Sequence, residues 1–211
     1  MDEHHPDEYV RGDLFRKISN ELKDFEGSFA YFDDNPHRQS LAVFVRHNIP
    51  VKNIADFIVY QPNQLQETGS VVFSSRKLQY LTVELAGREF MIANFHGLWN
   101  NEPKTDTPER LAQSACVNDF LDKYQGGKVL CGDFNLLPET ESMRMLEQKM
   151  QNLVRKTNVK STRTPLYRHF NNPNEPNLAD YILVSPDINV RHFEVLSDIV
   201  SDHSPLYLEF D

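Results

Sequence analysis

Hydrophobic and polar positions alternate with two different periods along the first half of the chain. Leu14, Phe15, Ile18, Leu22 and Phe25 recur at helical spacing and predict an amphipathic helix over residues 10–25. Short apolar runs then predict a series of strands. These strands are expected at residues 28–32, 41–46, 57–60, 71–73, 78–85 and 89–95, with a tight turn at 86–88 between the last two. The continuous apolar run at 41–45 is typical of a strand covered on both faces.

The second half of the chain opens with a helix start signal. Thr107 followed by Pro108, with Glu109 in the first turn, predicts a helix that runs to about Tyr124 and ends at Gly126. Apolar residues at 143, 146 and 150 suggest a further short helix. Residues 158–177 are rich in Thr, Asn, Pro and basic residues and are expected to form an exposed loop. Strands are predicted at 128–131, 180–184, 190–196 and 206–210.

This order of elements predicts an α/β fold, because strands outnumber helices and helices do not follow every strand. We expect two mixed β-sheets packed face to face with helices on the outside, a four-layer sandwich. The 211 residues fit a single domain, 1–211, with a net charge of −9 that argues against a general nucleic-acid-coating surface. A local basic rim would still be compatible with a nuclease.

Cysteine content and hydropathy bear on the cellular compartment. Cys116 and Cys131 are expected to be reduced structural thiols, because neither lies in a metal-binding spacing. No apolar run approaches the length of a membrane span. The acidic, polar first eight residues do not resemble a signal peptide. A cytoplasmic protein is the expectation, and the sequence does not predict an oligomeric state.

The stretch around which the site is predicted is the strand ending in Gly132-Asp133-Phe134-Asn135. Side chains alternate along an extended chain, so Asp133 and Asn135 are expected on one side. Two oxygen-bearing side chains at the end of a buried strand could form half of a site for a hard cation. An ordinary turn is the alternative, because Gly, Asp and Asn are common turn residues.

Three more places put polar groups next to strands. His96 follows a predicted strand, Asp180 opens one, and Asp202 and His203 precede the last one. Each has an ordinary structural interpretation: a hydrogen-bonded histidine, an ion-paired carboxylate and a turn before proline. Together with Gly-Asp-Phe-Asn, however, they occur in a characteristic order.

In this order the chain resembles the endonuclease/exonuclease/phosphatase superfamily of metal-dependent phosphoesterases. The segments that carry the resemblance are 94–98 (Asn-Phe-His-Gly-Leu), 132–135 (Gly-Asp-Phe-Asn), 180–183 (Asp-Tyr-Ile-Leu) and 201–205 (Ser-Asp-His-Ser-Pro). The resemblance extends from about residue 10 to the C-terminus. It implies a hydrolase of phosphate esters, which could be a nuclease, a phosphodiesterase or a phosphatase. The implied partner is a phosphate-ester substrate, with nucleic acid among the candidates.

The same resemblance implies a role for each matching residue. His203 would be the general base or phosphate-facing histidine, with Asp180 fixing its tautomer. Asp133 would orient the attacking water, Asn135 the phosphate, and His96 would donate to a phosphate oxygen. The implied metal ligand is Asp202, and the implied cofactor is Mg²⁺ or Mn²⁺, which favour oxygen ligands. All six residues are expected to meet in one cleft.

The chain departs from the family pattern at its beginning. Family members start with a strand carrying an asparagine and a second strand ending in Gln-Glu, whose glutamate is the principal metal ligand. Gln66-Glu67 lies in a loop after the strand predicted at 41–46, whereas the family pattern places this pair before the first helix. No strand is predicted near Glu3 or Glu8. We therefore expect the N-terminal strands to be missing and the chain to bind a cation poorly and to be weakly active or inactive. A remnant that acts, if at all, as a binding protein is the alternative function.

Basic and aromatic side chains could add to substrate binding. Four cations lie in or near the predicted loop and could bind phosphate, or could simply be solvated: Lys156, Lys160, Arg163 and Arg168. Trp99 and Tyr167 could stack on a base or a sugar, although aromatic residues more often pack in a core. The sequence leaves both questions open.

Overall fold

The computed structural model describes residues 10–31, 40–61, 75–99, 103–173 and 177–211. Within these ranges it contains four helices and ten strands. The helices are α1 (Val10–Glu21), α2 (Pro108–Leu121), α3 (Glu141–Glu147) and α4 (Leu153–Lys156). The strands are β1 (Phe25–Tyr31), β2 (Ser40–Arg46), β3 (Val51–Tyr60), β4 (Arg76–Leu85), β5 (Arg88–Phe95), β6 (Gly127–Asp133), β7 (Gln151–Asn152), β8 (Asp180–Val184), β9 (Val190–Val195) and β10 (Leu206–Phe210).

A six-stranded mixed sheet with the order β3-β4-β5-β6-β8-β7 forms the centre of the fold. Strands β5 and β6 are parallel and are joined through α2, whereas the other neighbours are antiparallel. Two antiparallel pairs, β1-β2 and β9-β10, form separate two-stranded sheets among the described residues. The expected α/β architecture of sheets and outer helices is confirmed.

Helices cover one face of the central sheet. Helix α2 begins where the sequence predicts, with the Thr107 side chain accepting a hydrogen bond from the Arg110 backbone N–H at 3.3 Å. Side chains of the sheet and of α2 and α3 that are 4% exposed or less pack together in one cluster. They include Leu78, Met91, Ala93, Leu130, Val117 and Leu146. This helix-covered face is a closed apolar core.

The two strand pairs cover the opposite face, which we call the hairpin-covered face. The strand residues that alternate with those of the helix-covered face point to it. They include Leu81, Val83, Phe90, Val129 and Ile182. The packing partners from β2, β9 and β10 are only partly buried. Outside the first pair, Phe15 of α1 packs on Phe29 and Phe44, with ring centroids 4.9 and 5.1 Å away. The order helix, strand pair, central sheet, helices corresponds to the four predicted layers.

Several predicted boundaries are wrong, and each has a local cause. Helix α1 ends at Glu21, and Phe25 starts β1, because an apolar residue at that spacing satisfies the strand alternation equally well. Helix α2 ends at Leu121 rather than near Tyr124. Strand β2 is partly covered on both faces, because Val43 and Val45 pack on the central sheet and Phe44 packs on Phe15, but Ala42 is exposed.

Strand β3 starts six residues earlier than predicted, because its first half is exposed and polar. The short elements β7 and α4 were missed.

Other predictions fall outside the described residues. These are the strand at 71–73, the Gln66-Glu67 pair, Glu3 and Glu8. Cys116 lies in α2 and Cys131 in β6, and both are free thiols. In the described part of the chain, no helix has the length and apolarity needed to cross a membrane.

Candidate active site

Two carboxylates meet at the ends of neighbouring strands. Strands β6 and β8 are antiparallel, and Asp133 is directly opposite Asp180 in their register. Opposed residues of an antiparallel pair project to the same face, so the two carboxylates lie side by side. Their parity places them on the hairpin-covered face. Two like charges in this position repel each other, and a cationic or proton-donating neighbour is needed to stabilise them.

His203, from the segment just before β10, supplies that neighbour. Its Nδ1 lies 2.8 and 2.9 Å from the two carboxylate oxygens of Asp180. Because a carboxylate only accepts, Nδ1–H donates and the Nε2 lone pair faces away from Asp180. Nε2 is 3.8 Å from Asp133 Oδ2. The ligand-type atoms of these three residues all lie within 4.8 Å of one another.

Opposing effects act on the protonation of this pair. Burial lowers the pKa of His203, but the hydrogen bond and charge of Asp180, together with the charge of Asp133, outweigh it and raise the pKa above its usual value. Burial raises the pKa of Asp180, and the hydrogen bond from His203 opposes that rise. The arrangement thus favours an imidazole of enhanced basicity.

Two glycines bring the His96 segment against the end of β6. A Cβ at Gly97 would lie 1.9 Å from the backbone oxygen of Phe134, and one at Gly132 (φ +134°) would lie 2.0 Å from that of Phe95. The Gly97 N–H donates to the Asp133 backbone oxygen at 2.7 Å. Only glycine permits such close backbone approach at these positions. The segment containing His96 therefore adjoins the strand end that carries Asp133.

His96 is neutral at physiological pH. Burial lowers its pKa to about 4, although the charge of Asp133 opposes this effect. A neutral imidazole can donate one hydrogen bond without adding charge. Arg76, at the start of β4, interacts electrostatically with both His96 and Asp133, and burial lowers its pKa to about 10. Arg76 is thus a buried cation near His96 and Asp133.

Asn135 reaches the site by a different route from the predicted one. Strand β6 ends at Asp133, and Asn135 has a left-handed backbone with φ 51°, so strand alternation does not apply to it. Its backbone N–H donates to Asp133 Oδ1 at 3.0 Å, and its side-chain amide donates to the Gly97 oxygen at 3.3 Å. Asn135 therefore orients the Asp133 carboxylate and ties the two loops together.

Asp202 lies at the rim, with its side chain 48% exposed. Its Oδ2 accepts a hydrogen bond from Arg163 Nη1 at 3.1 Å and is 3.9 Å from His203 Nε2. Asp202 is not one of the three residues clustered within 4.8 Å. All six predicted residues thus lie at or beside the same strand ends, but Asp202 is linked to an arginine rather than to the other carboxylates.

Arg163 is a site residue that the sequence did not single out among four basic candidates. Its side chain is 7% exposed, and Nη1 also contacts His203 Nε2. Of the other three, Lys156 and Lys160 bind Gln151 and Asn158, and Arg168 is exposed. No local pattern could have distinguished Arg163, because its position depends on a bridge to His203, 40 residues away.

The donor set suits a hard divalent cation. Asp180 is hydrogen-bonded by His203, which leaves the carboxylate of Asp133 as an oxygen ligand within the cluster and that of Asp202, paired with Arg163, at its rim. Mg²⁺ characteristically binds through one or two carboxylates, several waters and substrate phosphate oxygens. The charge of Arg163 lies next to this position and would have to be compensated or displaced. The residues present therefore fit such an ion.

Comparison with known proteins identifies the family and the fold of this chain. The sequence model of the "Endonuclease/Exonuclease/phosphatase family" matches residues 7–203. No curated protein matches the chain significantly. Many solved structures share its fold. One is a mannosyl-6-phosphatase from Bacteroides thetaiotaomicron, with 18% identity, a TM-score of 0.73, and coverage of 94% of this chain and 81% of that one.

Two further structures are similar at comparable levels. The human Nocturnin catalytic domain with bound sulfate anion has 21% identity and a TM-score of 0.66, covering 97% of this chain and 77% of that one. A D. rerio protein complexed with single strand DNA product has 14% identity and a TM-score of 0.69, covering 94% and 82%. At these identities the likeness establishes a common fold.

Proposed function

This chain belongs to the endonuclease/exonuclease/phosphatase family, whose enzymes hydrolyse phosphate esters, and we propose that it does so with a divalent cation and a water activated by His203 and Asp180. The observation that carries the proposal is the hydrogen-bonded pair itself. His203 Nδ1 is 2.8 Å from Asp180, and the other ring nitrogen, Nε2, is 3.8 Å from Asp133 Oδ2. A base held by a carboxylate, beside a second carboxylate, is suited to removing a proton from water.

Each residue of the site has a proposed part in the reaction. His203 Nε2 accepts the proton from the attacking water, and Asp180 stabilises the imidazolium that forms. Asp133, oriented by the Asn135 N–H, positions the water. His96 donates to a phosphoryl oxygen as a neutral group.

A second group of roles concerns the phosphate and the cation. The Asn135 amide is proposed to contact the phosphate. Asp202 is the proposed metal ligand, with Asp133 beside it. A bound Mg²⁺ or Mn²⁺ would stabilise the negative charge that develops on the phosphoryl oxygens.

The substrate class within phosphate esters is open to direct test. One relative by fold is a phosphatase of a phosphorylated sugar, and another was solved with a DNA product. Fold does not decide between them, because function depends on the site. We propose the broad class, a nuclease, phosphodiesterase or phosphatase, on the basis of the family and the charge distribution of the site.

The experiment is hydrolysis of a generic monoester and a generic diester, p-nitrophenyl phosphate and bis(p-nitrophenyl) phosphate. Each is measured with MgCl₂, with MnCl₂ and with EDTA. The proposal predicts turnover of at least one substrate that requires the metal and that Asp133→Asn strongly reduces. Turnover that is insensitive to EDTA would contradict it.

A non-catalytic binding function is the alternative, and one observation favours it. Arg163 contacts both Asp202 and His203 Nε2, so the proposed metal ligand and base are engaged with a protein cation. A protein of this kind would bind phosphate esters without turnover at any metal concentration. The same assay with a parallel measurement of substrate binding separates the two functions.

A further inference from the structure

Arg163 lies beside the catalytic histidine because of backbone pairing. The Ser204 N–H donates to the Thr162 oxygen at 2.9 Å, and the Thr164 N–H donates to the Asp202 oxygen at 3.1 Å. Arg163 and His203 are therefore partners in an antiparallel bridge. Partners in such a bridge project their side chains to the same face. The guanidinium is thus directed to His203 by the main chain.

The side chain of Arg163 is enclosed but incompletely bonded. Nη1 donates to Asp202 Oδ2 at 3.1 Å and contacts His203 Nε2. The guanidinium carbon lies 4.7 Å from the centroid of the Tyr167 ring, which supports its flat face. Nε is buried and has no hydrogen-bond partner. Most buried polar groups are satisfied, so this donor is an exception that needs an explanation.

The contacts that Arg163 makes are with the groups that the proposed reaction needs. A hydrogen bond from Nη1 occupies the His203 Nε2 lone pair, which would accept the proton of water. The other contact occupies Asp202, the proposed metal ligand. The single lone pair of Nε2 becomes available only when the guanidinium moves away, and the charge of the Asp202 carboxylate is then no longer compensated by Arg163. An ion pair with a half-exposed carboxylate is weak, so a stronger anion can displace it.

We propose that Arg163 is the phosphoryl-binding residue of this site, and that its guanidinium exchanges Asp202 and His203 Nε2 for phosphoryl oxygens when a phosphate ester enters. The proposal deepens the proposed function and rests on it. Guanidinium has five donors in a planar fork that matches phosphate, and its charge-assisted hydrogen bonds are strong. Binding of substrate would then release the base and the carboxylate together.

A purely structural role explains these contacts less well. The backbone hydrogen bonds at Thr162, Thr164 and Ser204 already join the two segments without the side chain of Arg163. The Thr164 hydroxyl also donates to the Ser201 oxygen. A long side chain replacing the guanidinium should therefore preserve the fold. Arg163→Met keeps the length and apolar stem, and Arg163→Lys keeps the charge without the fork.

The test measures phosphate binding without relying on turnover. Inorganic phosphate is titrated with metal-free protein, and the dissociation constant is obtained from ³¹P line broadening. Arg163→Met should raise this dissociation constant about tenfold or more. The constant of Arg163→Lys should lie between those of the wild type and Arg163→Met, because lysine keeps the charge but loses the bidentate hydrogen bonds. Arg168→Met removes an exposed charge from the same loop and should leave the constant within about twofold, because solvated charges contribute little. Circular dichroism should show that all three variants fold.

The outcomes separate this inference from the proposed function. Equal or tighter phosphate binding by Arg163→Met, or equal weakening by Arg168→Met, would overturn the role of Arg163. A wild type that binds no phosphate would overturn it as well. Turnover by the wild type with an unchanged KM in Arg163→Met would refute the inference alone. Phosphate binding that depends on Arg163, without any turnover, would support the inference while refuting the proposed hydrolysis.

Discussion

The two faces of the central sheet are built differently. On the helix-covered face, Leu130 and Leu183 are fully buried beneath α2 and α3. On the hairpin-covered face, the outer layer consists of two separate strand pairs among the described residues, and Leu208 is only partly buried. Asp133 and Asp180 project to this second face, and His203 reaches them from the segment before β10.

The two faces therefore differ in what they contribute: packing on the helix-covered face and charged groups at the strand ends on the hairpin-covered face. The helix-covered face excludes water and holds β5, β6 and β8 in register. The hairpin-covered face leaves the ends of the same strands partly accessible to solvent, and charged groups meet there. We therefore expect substitutions of the buried side chains beneath the helices to reduce the free energy of unfolding, and substitutions of the polar groups at the strand ends mainly to reduce function.

The largest effect on stability should come from Leu130→Ala in β6. Truncating a fully buried leucine typically costs about 2–5 kcal/mol of unfolding free energy, through lost burial and the cavity left behind. Leu208→Ala in β10 is the matched control and should cost less, because its side chain is only partly buried. Urea unfolding followed by circular dichroism measures both. A greater cost for Leu208→Ala would refute the contrast between the faces.

His96 should make stability depend on pH. Its pKa is about 4 in the folded protein and near 6.5 when unfolded, so the unfolded state binds more protons between these values. Stability from this residue is present above pH 6.5 and is lost as the pH falls toward 4. The loss at pH 5 relative to pH 7 should be about 2 kcal/mol.

His96→Gln removes this dependence and should flatten the curve of unfolding free energy against pH. The opposing contribution of His203, whose raised pKa stabilises the folded state below its unfolded value, is common to both proteins and cancels in the difference. Denaturant titrations at pH 5, 6 and 7 provide the comparison. Parallel curves for the two proteins would show that His96 is not buried in its neutral form.

A smaller effect should appear in the titration of His203. Asp180 is the main group that raises its pKa, whereas burial lowers it. In Asp180→Asn the pKa of His203 should therefore fall, because the charge and the hydrogen bond that raise it are altered while burial still lowers it. Proton NMR of the imidazole in metal-free protein measures this. An unchanged pKa in the variant would mean that the pair does not form.

Patterns within one segment could be predicted from the sequence, and contacts between distant segments could not. Thr107 and Pro108 start α2 as expected, because capping is local. The hydrophobic period alone could not assign Phe25 to α1 or to β1, because helix and strand patterns coincide over a few residues.

The same limit applies to the site. Asp133, Asp180 and His203 could be selected because each sits in a motif. Arg163 could not, because its importance comes from a bridge between two irregular segments. The Asn135 side chain was expected from strand alternation, which ends two residues earlier.

The hairpin-covered face is proposed to carry a catalytic His203–Asp180 pair. The most direct test is metal-dependent phosphodiester hydrolysis by His203→Ala, with His192→Ala as the matched control on exposed β9. General-base assistance typically contributes about 10²–10⁴-fold, so the His203 variant should lose turnover on that scale while circular dichroism shows that it remains folded. His192→Ala should retain the wild-type rate. A His203→Ala protein that is folded and hydrolyses the substrate near the wild-type rate would contradict the account.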